Sequence, residues 1–164
     1  MKIGLVSDSH DNMPAIRKAV EVLNAEGVGA VLHAGDFVAP FAVKEFLKVR
    51  APFFGVFGNN DGERAGLAKL CAEIQPGPRP LELGGRKIAL AHTEEAIPPA
   101  LWGEAAVAVF GHTHKVVVEK GLSRSSSSRG SLRLNPGECG GWLTGRCTVA
   151  VLDTETLDVR VVDL

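Results

Sequence analysis

The segment Gly111-His112-Thr113-His114, which follows an apolar run, holds two of the five histidines in the chain. One residue separates them, and in an extended chain residues two apart point to the same side. Two such imidazoles repel each other when charged and favour a shared metal ion when neutral. The spacing therefore predicts metal binding, although a single histidine at a strand end is more often hydrogen-bonded to backbone.

Four other segments place polar side chains at the ends of predicted strands. They are Ser7-Asp8-Ser9-His10, Gly35-Asp36, Gly58-Asn59-Asn60-Asp61 and Ala91-His92-Thr93. Each alone has an ordinary interpretation, as a helix-capping turn, a tight turn or a backbone-bonded histidine. Together with the histidine pair they follow five of the first six predicted strands, and this recurrence favours one shared site.

The candidate ligands are two carboxylates, one carboxamide and four imidazoles: Asp8, Asp36, Asn59, His10, His92, His112 and His114. Mixed imidazole and carboxylate ligands suit Mn²⁺, Fe²⁺, Zn²⁺ or Co²⁺ better than Ca²⁺. Seven ligands are too many for one zinc ion and suit a pair of ions with Asp36 as the bridge. His33 precedes a turn on an apolar strand, so we expect it to be buried and hydrogen-bonded instead.

The first half of the chain alternates predicted strands and helices. Short apolar runs predict strands at 3–6, 28–33 and 53–57. Capping and helical periodicity predict helices at 12–26, after Pro40 and at 63–73. On the second helix Phe41, Phe46 and Leu47 are expected to face inward. This βαβαβ order favours parallel strands joined by right-handed crossovers.

The second half of the chain is mostly predicted strand. Strands are predicted at 80–83, 87–91, 105–110, 116–120, 132–135, 148–152 and 159–164. Gly84-Gly85 predicts a hairpin between the first two strands, and the last two are expected to pair. A low-complexity loop is predicted at 123–130. We therefore expect a single domain over 1–164, with two stacked sheets and helices outside.

The composition is that of an ordinary globular protein. Hydrophobic residues make up 45% and charged residues 23% of the 164 residues, and the formal net charge is -1. Without a sustained basic run, nucleic acid is not an expected partner. No apolar stretch reaches the length of a membrane span, so no membrane partner is expected either. The N-terminus lacks signal-peptide features, which makes a cytoplasmic location the default expectation.

In the order of these motifs the sequence resembles the calcineurin-like metallophosphoesterases, and within them the small single-domain bacterial and archaeal phosphodiesterases. The matching motifs are DSH at 8–10, GD at 35–36, GNND at 58–61, the histidine at 92, GHTH at 111–114 and NPG at 135–137. They run over nearly the whole chain. The resemblance implies an α/β fold, a four-layer αββα sandwich of two mixed β-sheets with flanking helices.

The resemblance also implies how the metal ions are held. It assigns a first ion to Asp8, His10 and His114, a second to Asn59, His92 and His112, and the bridge to Asp36. The ions would be Mn²⁺ or Ni²⁺, with Fe or Zn as alternatives. Such a pair clamps a phosphate ester and generates a bridging hydroxide that attacks phosphorus in line. The expected function is therefore hydrolysis of a small phosphate diester.

Two positions depart from the family pattern. Many relatives carry a histidine after the metal-binding asparagine, where it protonates the leaving oxygen or steadies the phosphate. Here Asn60 stands at that position and cannot deliver a proton at neutral pH, so activated esters should be cleaved best. Thr93 replaces a common glycine and could narrow the approach to the second ion. Asp61 is a candidate to orient Asn59 or a metal-bound water.

Several alternatives stay open at this stage. A phosphomonoesterase would use the same dinuclear site, and no sequence feature separates the two substrates. A non-catalytic, metal-bound protein-interaction scaffold exists in this fold, but with degraded ligands, whereas this chain keeps all seven. The nearly neutral net charge argues against a nuclease, because binding to nucleic acid depends on positive charge. The valine-rich C-terminal strands leave a homodimer or higher homo-oligomer open.

Overall fold

The computed structural model describes residues 1–120 and 131–164. Its strands are β1 (Lys2–Val6), β2 (Ala30–His33), β3 (Phe53–Val56), β4 (Ile74–Gln75), β5 (Arg79–Leu83), β6 (Arg86–Leu90), β7 (Val107–Val109), β8 (Val116–Lys120), β9 (Leu132–Pro136), β10 (Thr148–Asp153) and β11 (Val159–Asp163). Its α-helices are α1 (Met13–Glu26), α2 (Pro40–Phe46), α3 (Arg64–Leu70) and α4 (Pro99–Glu104). A 3-10 turn spans Glu94–Ala96. The loop predicted at 123–130 lies outside the described residues.

The strands form two mixed sheets. The first has the order β11-β10-β1-β2-β3-β4, with β1 to β4 parallel and β10 and β11 antiparallel to their neighbours. The second has the order β5-β6-β7-β9-β8, with β6, β7 and β9 parallel and the two edge strands antiparallel. The parallel βαβαβ unit predicted for the first half is confirmed.

Three groups of buried side chains fill the spaces between the layers. One lies between the first sheet and its helices and includes Leu23 of α1. A second lies between the sheets, where Leu5 of β1 and Ile88 of β6 belong to the same cluster. A third joins Ala108 of β7 to Trp102 of α4. The order helix, sheet, sheet, helix confirms the four-layer αββα sandwich.

Helix α1 has the boundaries that its sequence predicts. The Asn12 side chain accepts a hydrogen bond from the backbone N–H of Ala15, and Pro14 lies in the first turn. Gly27 ends the helix in the left-handed conformation, with φ of 63°. Asn12 Nδ2 also donates to the carbonyl oxygen of Gly140 at 2.7 Å, which ties the start of the helix to a distant loop.

The inward face predicted for α2 is wrong at two of three positions. Phe46 is fully buried, whereas Phe41 is 50% and Leu47 is 40% exposed. The buried residues of α2 are Ala42, Val43 and Phe46. Successive residues are rotated by 100° around the helix axis, which places Phe41 opposite the buried face and Leu47 at its edge. Of the three large side chains, only Phe46 therefore points into the core.

The remaining differences concern short elements. Helix α3 ends at Leu70 rather than at 73, because Cys71 takes an extended backbone with φ of -145° and leads into β4. Strand β4 and helix α4 are not predicted by the sequence pattern, since two and six residues carry little periodicity. The β5–β6 hairpin and the antiparallel β10–β11 pair are confirmed. No helix in the described residues is long and apolar enough to cross a membrane.

Candidate metal centre

The polar segments meet at one edge of the two sheets, beyond the carboxyl ends of β1, β2, β3, β6 and β7. Asp8 N–H donates to the Gly35 carbonyl at 3.0 Å, and Gly111 N–H donates to the His92 carbonyl at 2.9 Å. His112 N–H donates to Asp8 Oδ2 at 3.0 Å and connects the sheets. Parallel strands bring their carboxyl ends to one edge, which explains this convergence.

Asp8, His10 and His114 form what we call the buried cluster. His114 Nε2 lies 3.5 Å from Asp8 Oδ1, and His10 Nε2 lies 4.0 Å from the same oxygen. The two imidazoles stack with ring centroids 5.2 Å apart. Asp8 is fully buried and His114 is 9% exposed. Their ligand atoms all lie within 4.8 Å of one another, a spacing that one divalent ion can fill.

Asn59, His92 and His112 form what we call the exposed cluster. The rings of His92 and His112 meet edge to face with centroids 5.1 Å apart. Asn59 and His112 are exposed to solvent, whereas His92 is buried. His92 Nδ1 lies 2.8 Å from the carbonyl oxygen of Ala34, so it must be the donor and Nε2 of the neutral ring carries a lone pair. That nitrogen faces Asn59 Oδ1 at 2.8 Å. When the ring is neutral, two acceptors face each other there, an arrangement that suits a cation.

Asp36 lies between the two clusters. Its Oδ2 is 3.6 Å from His10 Nε2 and 3.5 Å from His92 Nε2. Ligand atoms of Asp8, Asp36 and His92 also lie within 4.8 Å of one another. Asp36 is 1% exposed, so its charge faces the site and not solvent. A carboxylate in this position can contact an ion in either cluster.

One unpaired nitrogen and one buried carboxylate of the buried cluster fit a cation. Within residues 1–120 and 131–164, the buried Nε2 of His10 has no hydrogen-bond partner. Burial raises the pKa of Asp8, and the hydrogen bond from Ser7 and the neighbouring His114 oppose this only in part. A buried nitrogen without a partner and a buried carboxylate are both costly. A divalent cation would satisfy both.

Five candidate ligands have left-handed backbone, with φ between 40° and 65°: Asp8, His10, Asp36, His112 and His114. This conformation costs a residue other than glycine about 1–2 kcal/mol, and such residues cluster at functional sites. The extended geometry expected at 112–114 is therefore wrong, and the segment 8–10 is not extended either. The chain instead turns at each ligand, so that His114 stacks on His10 while His112 contacts His92.

Gly58 and Gly111 allow the backbone to approach the two carboxylates closely. A Cβ on Gly58 would lie 2.1 Å from Asp36 Oδ1, and a Cβ on Gly111 would lie 2.7 Å from Asp8 Oδ2. The second would also lie 1.8 Å from Ser7 Oγ. Any side chain at either position would therefore displace a candidate ligand.

Glu138 belongs to the site although the sequence pattern does not indicate it. Its carboxylate is fully buried and accepts a hydrogen bond from His114 Nδ1 at 2.7 Å. Burial alone would raise its pKa, but hydrogen bonds from Thr144, His114 and Leu143 outweigh burial and lower the pKa of Glu138 to about 2. His114 therefore donates through Nδ1 and presents the lone pair of Nε2 to the cluster. No local signal connects it with Glu138, 24 residues away.

Asp61 does not orient Asn59. Its Oδ2 accepts hydrogen bonds from the backbone N–H groups of Asp36 at 3.0 Å and Gly58 at 2.7 Å. Its Oδ1 accepts from the N–H of Val38 at 2.8 Å. Asp61 therefore holds together the loops after β2 and β3, which carry the shared Asp36 and Asn59 of the exposed cluster.

Asn60 lies against the shared carboxylate. Its Nδ2 donates to Asp36 Oδ2 at 2.8 Å, and its backbone N–H donates to Asp36 Oδ1 at 2.8 Å. Thr93 is half-buried and precedes the 3-10 turn, and its side chain makes no capping hydrogen bond. Of the two departures from the family pattern, Asn60 is thus the one in direct contact with a candidate ligand.

His33 is buried and hydrogen-bonded, as predicted. Gly35 N–H donates to its Nδ1 at 3.1 Å, so Nε2 carries the proton and donates to Ser9 Oγ at 3.1 Å. Its ring stacks on Phe37 with centroids 3.8 Å apart. Burial lowers the pKa of His33 well below its usual value, which keeps the ring neutral in the core.

Comparison with known proteins shows the family. The model of the calcineurin-like phosphoesterase superfamily domain matches residues 1–157. The chain belongs to the calcineurin-like phosphoesterase superfamily. It is a hydrolase of phosphate esters, and the family implies divalent metal ions, for which the two clusters supply candidate ligands.

Individual relatives agree with this assignment. Phosphodiesterase MJ0936 of Methanocaldococcus jannaschii is 39% identical over 175 residues, which cover 100% of this chain and 99% of that protein. A solved archaeal phosphodiesterase, also 39% identical, matches 100% of both chains with a TM-score of 0.87. The phosphoesterase Yfce of E. coli is 21% identical and shares the fold, with a TM-score of 0.73 over 99% of this chain and 98% of that one.

Proposed function

We propose that this superfamily member is a phosphodiesterase that hydrolyses small phosphate esters at a dinuclear metal centre. The observation that carries the proposal is the position of Asp36, whose Oδ2 lies within 3.6 Å of an imidazole nitrogen from each cluster. A diester is favoured as the substrate because the full-length relative at 39% identity is named a phosphodiesterase.

In this proposal each cluster holds one ion. The first ion is bound by Asp8, His10 and His114, the second by Asn59, His92 and His112, and both by Asp36. This mixture of ligands suits Mn²⁺ or Ni²⁺, and also Fe or Zn²⁺. When bound, the ions supply polarisation of the phosphate and a water of lowered pKa as the nucleophile.

The buried serines beside the clusters are not placed to act as nucleophiles. Ser7 Oγ donates to Asp8 Oδ2 at 2.5 Å, and Ser9 Oγ accepts from the ring of His33. Both serines are fully buried. Their hydroxyls cannot reach a substrate in solvent, so we expect no covalent phospho-enzyme through them.

Asn60 holds Asp36 in place and does not act as an acid. An amide has no proton to give at neutral pH, so this residue cannot protonate the leaving oxygen. Esters with acidic leaving groups, such as p-nitrophenol, should react fastest. The variant Asn60→His should accelerate the cleavage of alkyl esters more than that of nitrophenyl esters.

Metal-free protein tested on bis-p-nitrophenyl phosphate and p-nitrophenyl phosphate, with and without Mn²⁺, decides the proposal. We expect Mn²⁺-dependent release of p-nitrophenol, faster from the diester. Cleavage of the monoester alone would identify a phosphomonoesterase. If Mn²⁺ binds, as measured by calorimetry, and neither ester is cleaved, the chain is a binding scaffold.

A further inference from the structure

Trp142 and Leu143 are the most exposed large hydrophobic side chains in the part of the chain that the structure describes, at 63% and 76%. They are neighbours in the loop that follows Glu138. Contiguous exposed apolar surface on a soluble protein commonly marks an interaction site. The role of this pair depends on where the loop holds it.

The loop holds Trp142 at the edge of the buried cluster. Its Nε1–H donates to the carbonyl oxygen of His10 at 3.1 Å. A Cβ on Gly140 would lie 2.9 Å from Trp142 Cδ1 and 3.0 Å from the carbonyl oxygen of Asp8. One edge of the indole is thus fixed on the backbone of His10, while most of the ring stays in solvent.

The loop itself is tied down on both sides of Trp142. Before it, Cys139 N–H donates to the Ser7 carbonyl at 2.8 Å and Gly140 N–H donates to the Asp8 carbonyl at 3.0 Å. After it, Leu143 N–H donates to Glu138 Oε1 at 3.0 Å. An aromatic side chain that is already fixed loses little conformational entropy when it contacts a ligand.

We infer that Trp142, with Leu143 beside it, binds a flat aromatic group of the phosphodiester and so determines which esters are accepted. The inference rests on the proposed function and names its substrate class, diesters with an aryl or nucleobase arm. The cations that the two clusters would hold offer positive charge to the phosphate. The indole offers a π-face to the ester arm, and stacking of this kind accepts any flat ring.

Two phosphonates test the inference, because they are not hydrolysed and differ only in the arm. Phenylphosphonate should inhibit hydrolysis of bis-p-nitrophenyl phosphate by the Mn²⁺-loaded enzyme about tenfold more strongly than methylphosphonate. Trp142→Ala should abolish this preference and leave inhibition by methylphosphonate unchanged. Trp142→Phe should keep most of the preference for phenylphosphonate. Phe41→Ala, which removes an exposed aromatic ring from α2, should leave the preference unchanged.

A second readout does not depend on activity. The chain has two tryptophans, so in the Trp102→Phe variant the fluorescence comes from Trp142 alone. Phenylphosphonate should quench this fluorescence, and methylphosphonate at the same concentration should not. Quenching by both or by neither would overturn the inference.

The outcomes separate this inference from the proposed function. A phenyl preference that survives Trp142→Ala would overturn the inference and leave the phosphodiesterase intact. Absence of Mn²⁺-dependent hydrolysis would overturn the proposed function, and the fluorescence would still report whether the aryl group binds. If Trp142→Ala converts an oligomer to a monomer in size-exclusion chromatography, the pair contacts a second copy of the chain, and the inference fails.

Discussion

The buried and the exposed cluster differ in what supports their histidines. In the buried cluster His114 Nδ1 donates to the carboxylate of Glu138 at 2.7 Å. In the exposed cluster His92 Nδ1 donates to the neutral carbonyl of Ala34 at 2.8 Å. A charged acceptor raises the basicity of the ligating nitrogen more than a neutral one does. The imidazole of the buried cluster is therefore the stronger ligand.

The two clusters also differ in burial. Asp8 and His114 are at most 9% exposed, so solvent competes little for an ion between them. Asn59 and His112 are exposed, and their orientation is restrained less by packing. Both differences act in the same direction. We therefore expect the ion of the buried cluster to be held tightly and the ion of the exposed cluster to exchange with solvent.

The largest effect should come from Asp36→Asn, because Asp36 lies beside an imidazole of each cluster. We expect kcat/KM for bis-p-nitrophenyl phosphate to fall on the order of 1000-fold, since the charge that both proposed ions would share is lost. Calorimetric titration with Mn²⁺ should show both sites weakened. Asp153→Asn changes a carboxylate near the N-terminus and should change neither quantity. If one Mn²⁺ site kept its full affinity in the Asp36→Asn variant, Asp36 would not be shared by the two sites.

His112→Ala should affect the exposed cluster alone. Wild-type protein should bind Mn²⁺ in two classes of unequal affinity, and the variant should lose the weaker class while keeping the tighter one. Activity should fall about 100-fold, because the remaining ion would still polarise the phosphate. Loss of both classes would show that the clusters do not bind ions separately.

Glu138→Gln should weaken the tighter Mn²⁺ class about 10- to 100-fold. The neutral amide holds the His114 tautomer less firmly, because it also brings donors next to Nδ1. Glu119→Gln, on the exposed strand β8, is the matched control. The unequal support of the clusters would be disproved if the weaker class, and not the tighter one, lost affinity.

The smallest effect is expected far from the clusters, at Glu26. Hydrogen bonds from Arg160 and Lys2 lower the pKa of Glu26. Because the pKa of Glu26 is lower in the folded protein than in the unfolded chain, where it is near 4.5, the ionised carboxylate stabilises the fold above pH 4.5. This stabilisation is lost as the pH falls through the folded-state pKa. The melting temperature of Glu26→Gln should lie slightly below that of wild type at pH 7, and the gap should narrow below pH 4.5. Mn²⁺ affinities should not change.

The elements that the sequence predicts well are those with local signals. Asn12 and Gly27 mark the ends of α1 through contacts within one turn. Gly84-Gly85 marks the β5–β6 hairpin through its own backbone conformation. Helix α2 shows where this fails, because Phe41 is as apolar as Phe46 but only the layer packed against the helix decides which of them is buried. Burial is a property of the partner surface as much as of the residue.

By itself the sequence determined the fold class, the family and the residue types of the candidate site, since motif order and ligand chemistry are written along the chain. The tertiary structure alone decided that Glu138 and Trp142 join the buried cluster and that the chain turns at His112 and His114 instead of running extended. The hydrogen bonds of the buried cluster join residues that are separated in the sequence by 24, 104 and 132 positions. Hydrogen bonds across such distances leave no periodic trace in the sequence, because they depend on the stacking of the two sheets and not on neighbouring residues.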